Sequence, residues 1–301
     1  MSERIPNVRV RAQNGFVLIR DGLSVSFFIK RPHSELRTGL MHSLEAYRRA
    51  MGPAALKSYA DMEGEWQRLD EEGWEHTRRE LLHPRCANVQ LVGISHGEEL
   101  YHFEYQGRPL DEPSPHTHPD EASFVSYWLP SEILEERGPQ WVRELMLELA
   151  APLPFNSGNG GLSLNSALDL VGVRRAVRKY CFRYPGMDVP DPGITAMSIG
   201  TRVRGPSWLT FLGQPVLGEL GGVSGLRSRL HTPGTTVQEL EGDRAVVTLG
   251  AWPEAGDTEQ GQDLPAYREL ARVLEPWTLL GGENILNDPE ETRRWERRFL
   301  D

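Results

Sequence analysis

The residues best suited to chemistry lie in one short segment, Pro115-His-Thr-His-Pro-Asp-Glu121. Its His116, His118 and Asp120 offer two imidazole nitrogens and a carboxylate, which are ligands that zinc or iron takes in hydrolytic sites. An H-x-H pair alone is a common loop sequence, however, and prolines on both sides favour an extended, exposed loop. The segment therefore favours a solvated loop, with a metal-dependent hydrolase as the alternative hypothesis.

The other candidate bases and nucleophiles give no second active-site pattern. His102 lies beside Glu104 on the face of a predicted strand opposite its aromatic residues, which favours a surface ion pair over a catalytic dyad. Cys86 and Cys181 have no base at a characteristic spacing, and buried cysteines commonly act as small apolar residues. We therefore predict no catalytic residues and no resident metal.

Two glycine-rich segments, 156–161 and 218–225, loosely resemble phosphate-binding loops. Neither has the G-K-S/T ending of a P-loop, and neither has G-x-G-x-x-G in register after a strand. Both segments are better explained as tight turns, so we predict no nucleotide cofactor.

A strongly acidic segment, residues 61–75, is the most suggestive binding motif, with seven carboxylates, one arginine and two tryptophans. Carboxylates steer a basic partner toward a surface, and aromatic side chains supply contact energy. An ordinary solvated helix start, with Trp74 packed inward, is an alternative that stays open. The predicted partner-binding residues are Asp61, Glu63, Glu65, Trp66, Asp70, Glu71 and Glu72.

Alternating apolar residues predict three β-hairpins that organise the chain. The first has Asp21-Gly22 as its turn, a dipeptide typical of tight hairpins. The second and third have their turns at residues 96–99 and 241–243. The paired strands are predicted at 16–20 with 23–30, 89–94 with 100–106, and 237–240 with 245–249.

Apolar residues at helical spacing predict the helices that flank these strands. Ser34 is the predicted cap of the first helix, Pro139 opens another, and the last begins at Asp288 with acidic residues and ends at Arg297-Arg298. The core-facing stripes are Leu36, Leu40, Leu44, Tyr47 and Met51, then Val142, Leu145, Met146 and Leu149, then Leu264, Tyr267, Leu270, Ala271 and Leu274.

Strands joined by tight turns and interspersed with helices predict an α+β fold, with antiparallel or mixed sheets of β-hairpins flanked by helices. The strand-then-helix rhythm recurs near 23–51, 123–150 and 236–277, which hints at two structurally similar halves. A Pro- and Gly-rich stretch at 184–193 is the predicted seam. We expect residues 1–301 to form a single domain.

Composition narrows the class of partner. The chain has 301 residues and a formal net charge of −10, whereas a dedicated nucleic-acid binder needs a basic face to neutralise phosphates.

No apolar run approaches the length of a membrane span, and the first residues lack the apolar core of a secretory signal. Two cysteines do not make a disulfide framework. The predicted location is the cytoplasm.

Several long strings of residues resemble a bacterial family of immunity proteins associated with type VI secretion, named for immunity against VRR-type nuclease effectors. The likeness runs from the first predicted hairpin to the last helix. Its strings lie at 124–130, 153–163, 183–190, 200–213, 240–249 and 253–257, the clearest being Gly-Thr-Arg-Val-Arg-Gly-Pro-Ser-Trp-Leu-Thr-Phe-Leu-Gly at 200–213.

The resemblance implies a protein that binds and blocks a toxin, with no family catalytic residues to transfer. The cognate toxin would be a nuclease with a basic surface, and the immunity protein would occlude its active or substrate-binding site. The resembling strings are rich in glycine, proline and aromatic residues, which suits turns and core. Partner contacts are therefore expected in exposed, charged segments such as 61–75.

Overall fold

A computed structural model describes residues 5–112, 118–281 and 285–301, and it confirms the predicted α+β class. These residues form eleven strands, and every strand pairing is antiparallel. The strands are β1 (Arg9–Arg11), β2 (Val17–Ile29), β3 (Ser58–Ala60), β4 (Trp66–Arg68), β5 (Ala87–Ser95), β6 (Glu98–Gly107), β7 (Ser123–Pro130), β8 (Ser157–Ser166), β9 (Leu209–Leu212), β10 (Thr235–Leu240) and β11 (Arg244–Leu249).

Ten α-helices and two short 3₁₀ turns connect and cover these strands in the described residues. The helices are α1 (His33–Met51), α2 (Glu71–Leu81), α3 (Ile133–Arg137), α4 (Pro139–Ala150), α5 (Val173–Arg183), α6 (Pro192–Ala196), α7 (Val216–Glu219), α8 (Gly222–Arg227), α9 (Pro265–Leu274) and α10 (Pro289–Glu296). The 3₁₀ turns are Thr258–Gln260 and Glu275–Trp277.

All eleven strands belong to one sheet, in the order β10-β11-β9-β8-β2-β7-β6-β5-β3-β4, with β1 beside the first residues of β2. The long strand β2 lies near the middle and places Leu23, Val25 and Phe27 in the largest apolar cluster. A second apolar cluster lies at the β10 end of the sheet, where β9 and β11 pack against α7, α8 and α9. The sheet therefore has one edge at β10 and the other at the short strand β4.

The predicted hairpin at Asp21-Gly22 is wrong, because β2 runs straight through these two residues. The buried Asp21 carboxylate accepts hydrogen bonds from the backbone N–H of Val8, at 2.8 Å, and from the Ser131 hydroxyl. Gly22 is needed for close packing, since a Cβ there would overlap the side-chain amide of Asn165 on β8. A dipeptide typical of turns thus lies within a continuous central strand, where it allows close packing against β8.

The glycine-rich segment at 156–161 is likewise a strand and not the predicted turn. Residues 157–161 form the first half of β8, which is buried along its whole length. A Cβ at Gly158 would lie 2.7 Å from the Phe27 ring, and one at Gly160 would lie 2.8 Å from the Met146 sulfur. The glycines therefore make room for large side chains from β2 and α4.

The other two hairpins are confirmed. β5 and β6 meet at His96-Gly97, where both residues have positive φ, and β10 and β11 meet at residues 241–243. The apolar stripes of α1, α4 and α9 face the core as predicted, apart from a half-buried Met51. Ser34 does not cap α1, whose first residue is His33 and which has no side-chain cap.

The predicted seam at 184–193 lies against the sheet. The backbone of Asp188 accepts a hydrogen bond from the N–H of Leu164 and donates one to the carbonyl of Leu162, both at 2.8 Å. The stretch therefore extends the pairing of β8 beyond the end of β9. The division into two similar halves stays a prediction.

Candidate functional site

The acidic segment 61–75 contains the turn of the β3–β4 hairpin, strand β4 and the start of α2, at one edge of the sheet. Asp61 organises the hairpin turn, because its Oδ1 accepts hydrogen bonds from the backbone N–H groups of Glu63, at 3.1 Å, and Glu65, at 2.9 Å. Its Oδ2 accepts a third from the Gln67 side chain at 2.7 Å, and this bond is the main cause of a lowered pKa for Asp61. The positive φ of Gly64 completes the turn.

The outer surface of the hairpin is highly exposed. The Met62 side chain is 93% exposed and the Trp66 side chain 50% exposed, and β4 is exposed along its length. Glu63 and Glu65 are also exposed, and no described cation lies within 4.0 Å of either carboxylate. The hairpin therefore combines unpaired negative charge with accessible apolar area, as expected for a binding surface.

The first turn of α2 continues this surface. Asp70 caps the helix by accepting a hydrogen bond from the backbone N–H of Gly73 at 3.2 Å. Glu71 and Glu72 are exposed in the first turn, where the partial positive charge of a helix N-terminus favours carboxylates. Trp74 turns toward the body of the protein, and the Arg48 guanidinium lies 3.6 Å from the centre of its ring.

The structure thus divides the seven predicted binding residues into two groups. Asp61 holds the hairpin turn, and Asp70 lies at the start of α2, where the helix-start interpretation places it. Glu63, Glu65, Trp66, Glu71 and Glu72 are exposed. No described cation pairs with these four glutamates.

Sequence reasoning missed a small cleft behind the hairpin, between β3, α2 and β5. Tyr59, His76 and Glu80 line it together with Asp61, and its volume is about 250 Å³. The four-residue spacing of His76 and Glu80 places both on one face of α2, which a helical reading of 71–81 could have found. The pairing of that face with Tyr59 depends on the tertiary fold.

His102 is more buried than a surface ion pair, with only 12% of its side chain exposed. Its Nδ1 lies 2.6 Å from Glu99 Oε1 and its Nε2 lies 3.5 Å from Glu104 Oε2, while its ring stacks on Trp128 at 4.5 Å between centroids. Burial alone would lower the pKa of His102, but the contacts with Glu104 and Glu99 outweigh it and raise the pKa to about 10. A histidine that stays protonated is poorly suited to act as a general base.

The hypothetical metal ligands are engaged in other contacts or lie outside the described residues. The Nδ1 of His118 accepts a hydrogen bond from the backbone N–H of Asp120 at 3.1 Å, and the Asp120 carboxylate pairs with Arg202 at 3.2 Å. His116 lies outside the described residues. Within 5–112, 118–281 and 285–301, no group of three His, Cys, Asp or Glu side chains is arranged to hold a metal ion.

Within the same described ranges, each helix is too short or too polar to cross a bilayer.

The fold and site define an α+β protein that presents acidic and aromatic side chains at one edge of an extended antiparallel sheet. Residues 39–299 match the family TsiV, described as type VI immunity for VRR-NUC. Because this match spans most of the chain, the protein belongs to the TsiV family. The predicted family resemblance is confirmed.

Comparison with solved structures adds information on the fold. A Pseudomonas aeruginosa T6SS protein, PA0821, superposes with a TM-score of 0.77 at 18% sequence identity, covering 97% of this chain and 87% of that chain. At this identity, the likeness supports a shared fold. A search of curated proteins gave no significant match.

Proposed function

We propose that this protein binds a VRR-type nuclease effector in the cytoplasm and neutralises it by covering its active or DNA-binding site. The observation that carries the proposal is membership of an immunity family over residues 39–299. The protein would act by binding alone, without a cofactor, without chemistry of its own and without contacting nucleic acid.

Electrostatics supports occlusion as the mechanism. A nuclease holds DNA in a groove lined by cations that neutralise phosphates. A protein with a net charge of −10 presents the opposite sign, so it can approach the same groove as a competing polyanion. Charge complementarity of this kind speeds association and excludes wrong partners, while buried aromatic contacts supply much of the affinity.

The proposed contact surface, called here the acidic edge, consists of Asp61, Glu63, Glu65, Trp66, Asp70, Glu71 and Glu72. Its exposed glutamates are available to partner cations, and half-exposed Trp66 provides an aromatic anchor beside them. The two aspartates contribute by holding the hairpin and α2 in place. Strand β4 lies at the sheet margin, so a partner reaches this surface without moving another strand.

Co-expression with the VRR-type nuclease effector of the same bacterium tests the function. We expect growth to be rescued and a stable complex to be purified. Cell death despite abundant folded protein would contradict the proposal.

The acidic edge is tested with two matched quadruple variants. E63Q/E65Q/E71Q/E72Q removes four negative charges from the edge, and E239Q/E241Q/E254Q/E290Q removes four from exposed positions elsewhere. The first should weaken binding at low salt much more than the second, and the difference should shrink as salt screens the charges. Equal affinities would exclude this surface and leave immunity itself standing.

A further inference from the structure

The cleft behind the hairpin shares Asp61 with the acidic edge, and its other lining residues lie outside that edge. It is bounded by β3, α2 and the start of β5, and Tyr59, Asp61, Met62, His76, Glu80 and Asn88 line it. Its volume of about 250 Å³ is below the roughly 300–1,000 Å³ usual for a small-molecule site. The dimensions suit one inserted side chain better than a whole ligand.

The walls of the cleft are closely packed against each other. Gly73 allows α2 to approach the hairpin closely, since a Cβ there would lie 2.6 Å from the Arg68 carbonyl oxygen and 3.0 Å from the Tyr59 ring. The Tyr59 and His76 rings lie 5.0 Å apart at an angle of 30° and form one wall. An occupant would therefore meet an aromatic face that is already in place.

Two acidic residues, Asp61 and Glu80, also line the cleft, and both carboxylates are fixed by backbone donors. Glu80 Oε1 accepts a hydrogen bond from the N–H of Asn88 at 3.2 Å, and Asp61 is fixed by the hairpin turn. Glu80 is half-buried. Across the described ranges, no Lys or Arg nitrogen lies within 4.0 Å of either carboxylate. The cleft thus has two anchored acceptors and lacks an internal cation for them.

These groups match the chemistry of arginine. A guanidinium is planar, donates five hydrogen bonds, pairs with carboxylates and stacks on aromatic rings. The exposed Met62 side chain at the rim can cover the apolar stem of such a residue. The charge of the cleft disfavours a phosphate or another anion.

We infer that this cleft is the socket for an arginine side chain of the bound nuclease. The inference rests on the proposed function and specifies it further. The guanidinium would lie against Tyr59, with its N–H groups donating to Glu80 and Asp61. Arginine in a small, desolvated pocket is a common source of concentrated binding energy at protein interfaces.

A probe experiment tests the chemistry of the cleft without the nuclease. N-acetyl-arginine methylamide is titrated into the full-length protein at millimolar concentration, with N-acetyl-citrulline methylamide as a neutral control of the same shape. We expect arginine alone to shift the NMR signals of Tyr59, His76 and Glu80. Equal shifts with both probes, or none with arginine, would overturn the inference.

A variant pair tests the same cleft in the complex. Glu80→Gln should weaken nuclease binding by about tenfold or more, because the guanidinium loses a charged acceptor. Glu239→Gln, at an exposed position of β10 on the opposite edge of the sheet, should change affinity by no more than about twofold. Urea denaturation checks that both variants fold.

The outcomes separate the two proposals. If the wild-type protein binds the nuclease and Glu80→Gln binds equally well, the socket is wrong and the proposed function stands. If the wild-type protein does not bind the nuclease, the proposed function fails, and the assignment of the arginine to that partner fails with it.

Discussion

Asp61 and Asp70 each have two roles. The carboxylate accepts hydrogen bonds from the backbone, and it adds negative charge to the acidic edge. Asp70 accepts a hydrogen bond from Gly73 N–H at the start of α2, whereas Glu72 in the first turn of the helix makes no described ion pair. A test of the acidic edge that substitutes the aspartates therefore mixes folding with binding. Substitution of the glutamates separates the two effects.

Replacing the helix cap should cost stability in a predictable amount. Asp70→Ala should lower the free energy of unfolding by about 1 kcal/mol, because Gly73 N–H loses its acceptor. Glu72→Gln, the matched control, should change it by less than about 0.5 kcal/mol. Urea denaturation measures both. Equal effects of the two substitutions would contradict the assigned cap.

The buried His33 and the largely buried His102 should have pKa values on opposite sides of the ordinary histidine pKa of 6.5. Burial lowers the pKa of His33, while the carboxylates beside His102 overcome burial and raise its pKa to about 10. NMR titration should show His102 still protonated at pH 8 and His33 already neutral. A His102 signal that titrates near pH 6.5 would contradict the clamp between Glu99 and Glu104.

The raised pKa of His102 also has a consequence for stability. Because the folded-state pKa lies above the unfolded value of 6.5, the stabilisation is complete below about pH 6.5. It is lost as the pH rises through about 10. The effect of His102→Gln on the free energy of unfolding should therefore be larger at pH 6 than at pH 9.5.

At the scale of elements, the central strands depend on small residues at crowded positions. Gly22→Ala on β2 should destabilise the protein by about 1–3 kcal/mol, since the new methyl group overlaps the Asn165 amide. Gly193→Ala in α6 is the control, because its Cβ would meet only the Phe124 ring at 3.9 Å. Thermal unfolding should separate the two variants. An unchanged melting temperature for Gly22→Ala would contradict the close packing.

Glycine positions also show why some turns are predicted correctly from the sequence and others are not. Local patterns were sufficient for the turns at 96–97 and 241–243, where the chain reverses through residues with positive φ. Asp21-Gly22 and the glycines at 158–161 are also typical turn residues, but pairing and packing with neighbouring elements hold them in extended strands. The neighbours are β7, β8 and α4. Tertiary packing overrides local turn preference there.

At the scale of the whole molecule, only part of the candidate site can be predicted from the sequence. The density of carboxylates in 61–75 predicted an exposed acidic surface, and the structure places it at the edge strand β4. The cleft joins Tyr59 on β3 to Glu80 on α2. No local pattern encodes that contact, because it forms only when α2 packs across the sheet.

Inhibition by masking has a stoichiometry that distinguishes it from catalysis. The most direct test titrates a purified VRR-type nuclease effector with this protein while following cleavage of double-stranded DNA. The proposed function predicts that cleavage falls in proportion to the protein added and ends near one equivalent. Complete loss of cleavage at a small fraction of an equivalent, or undiminished cleavage at an excess of folded protein, would contradict it.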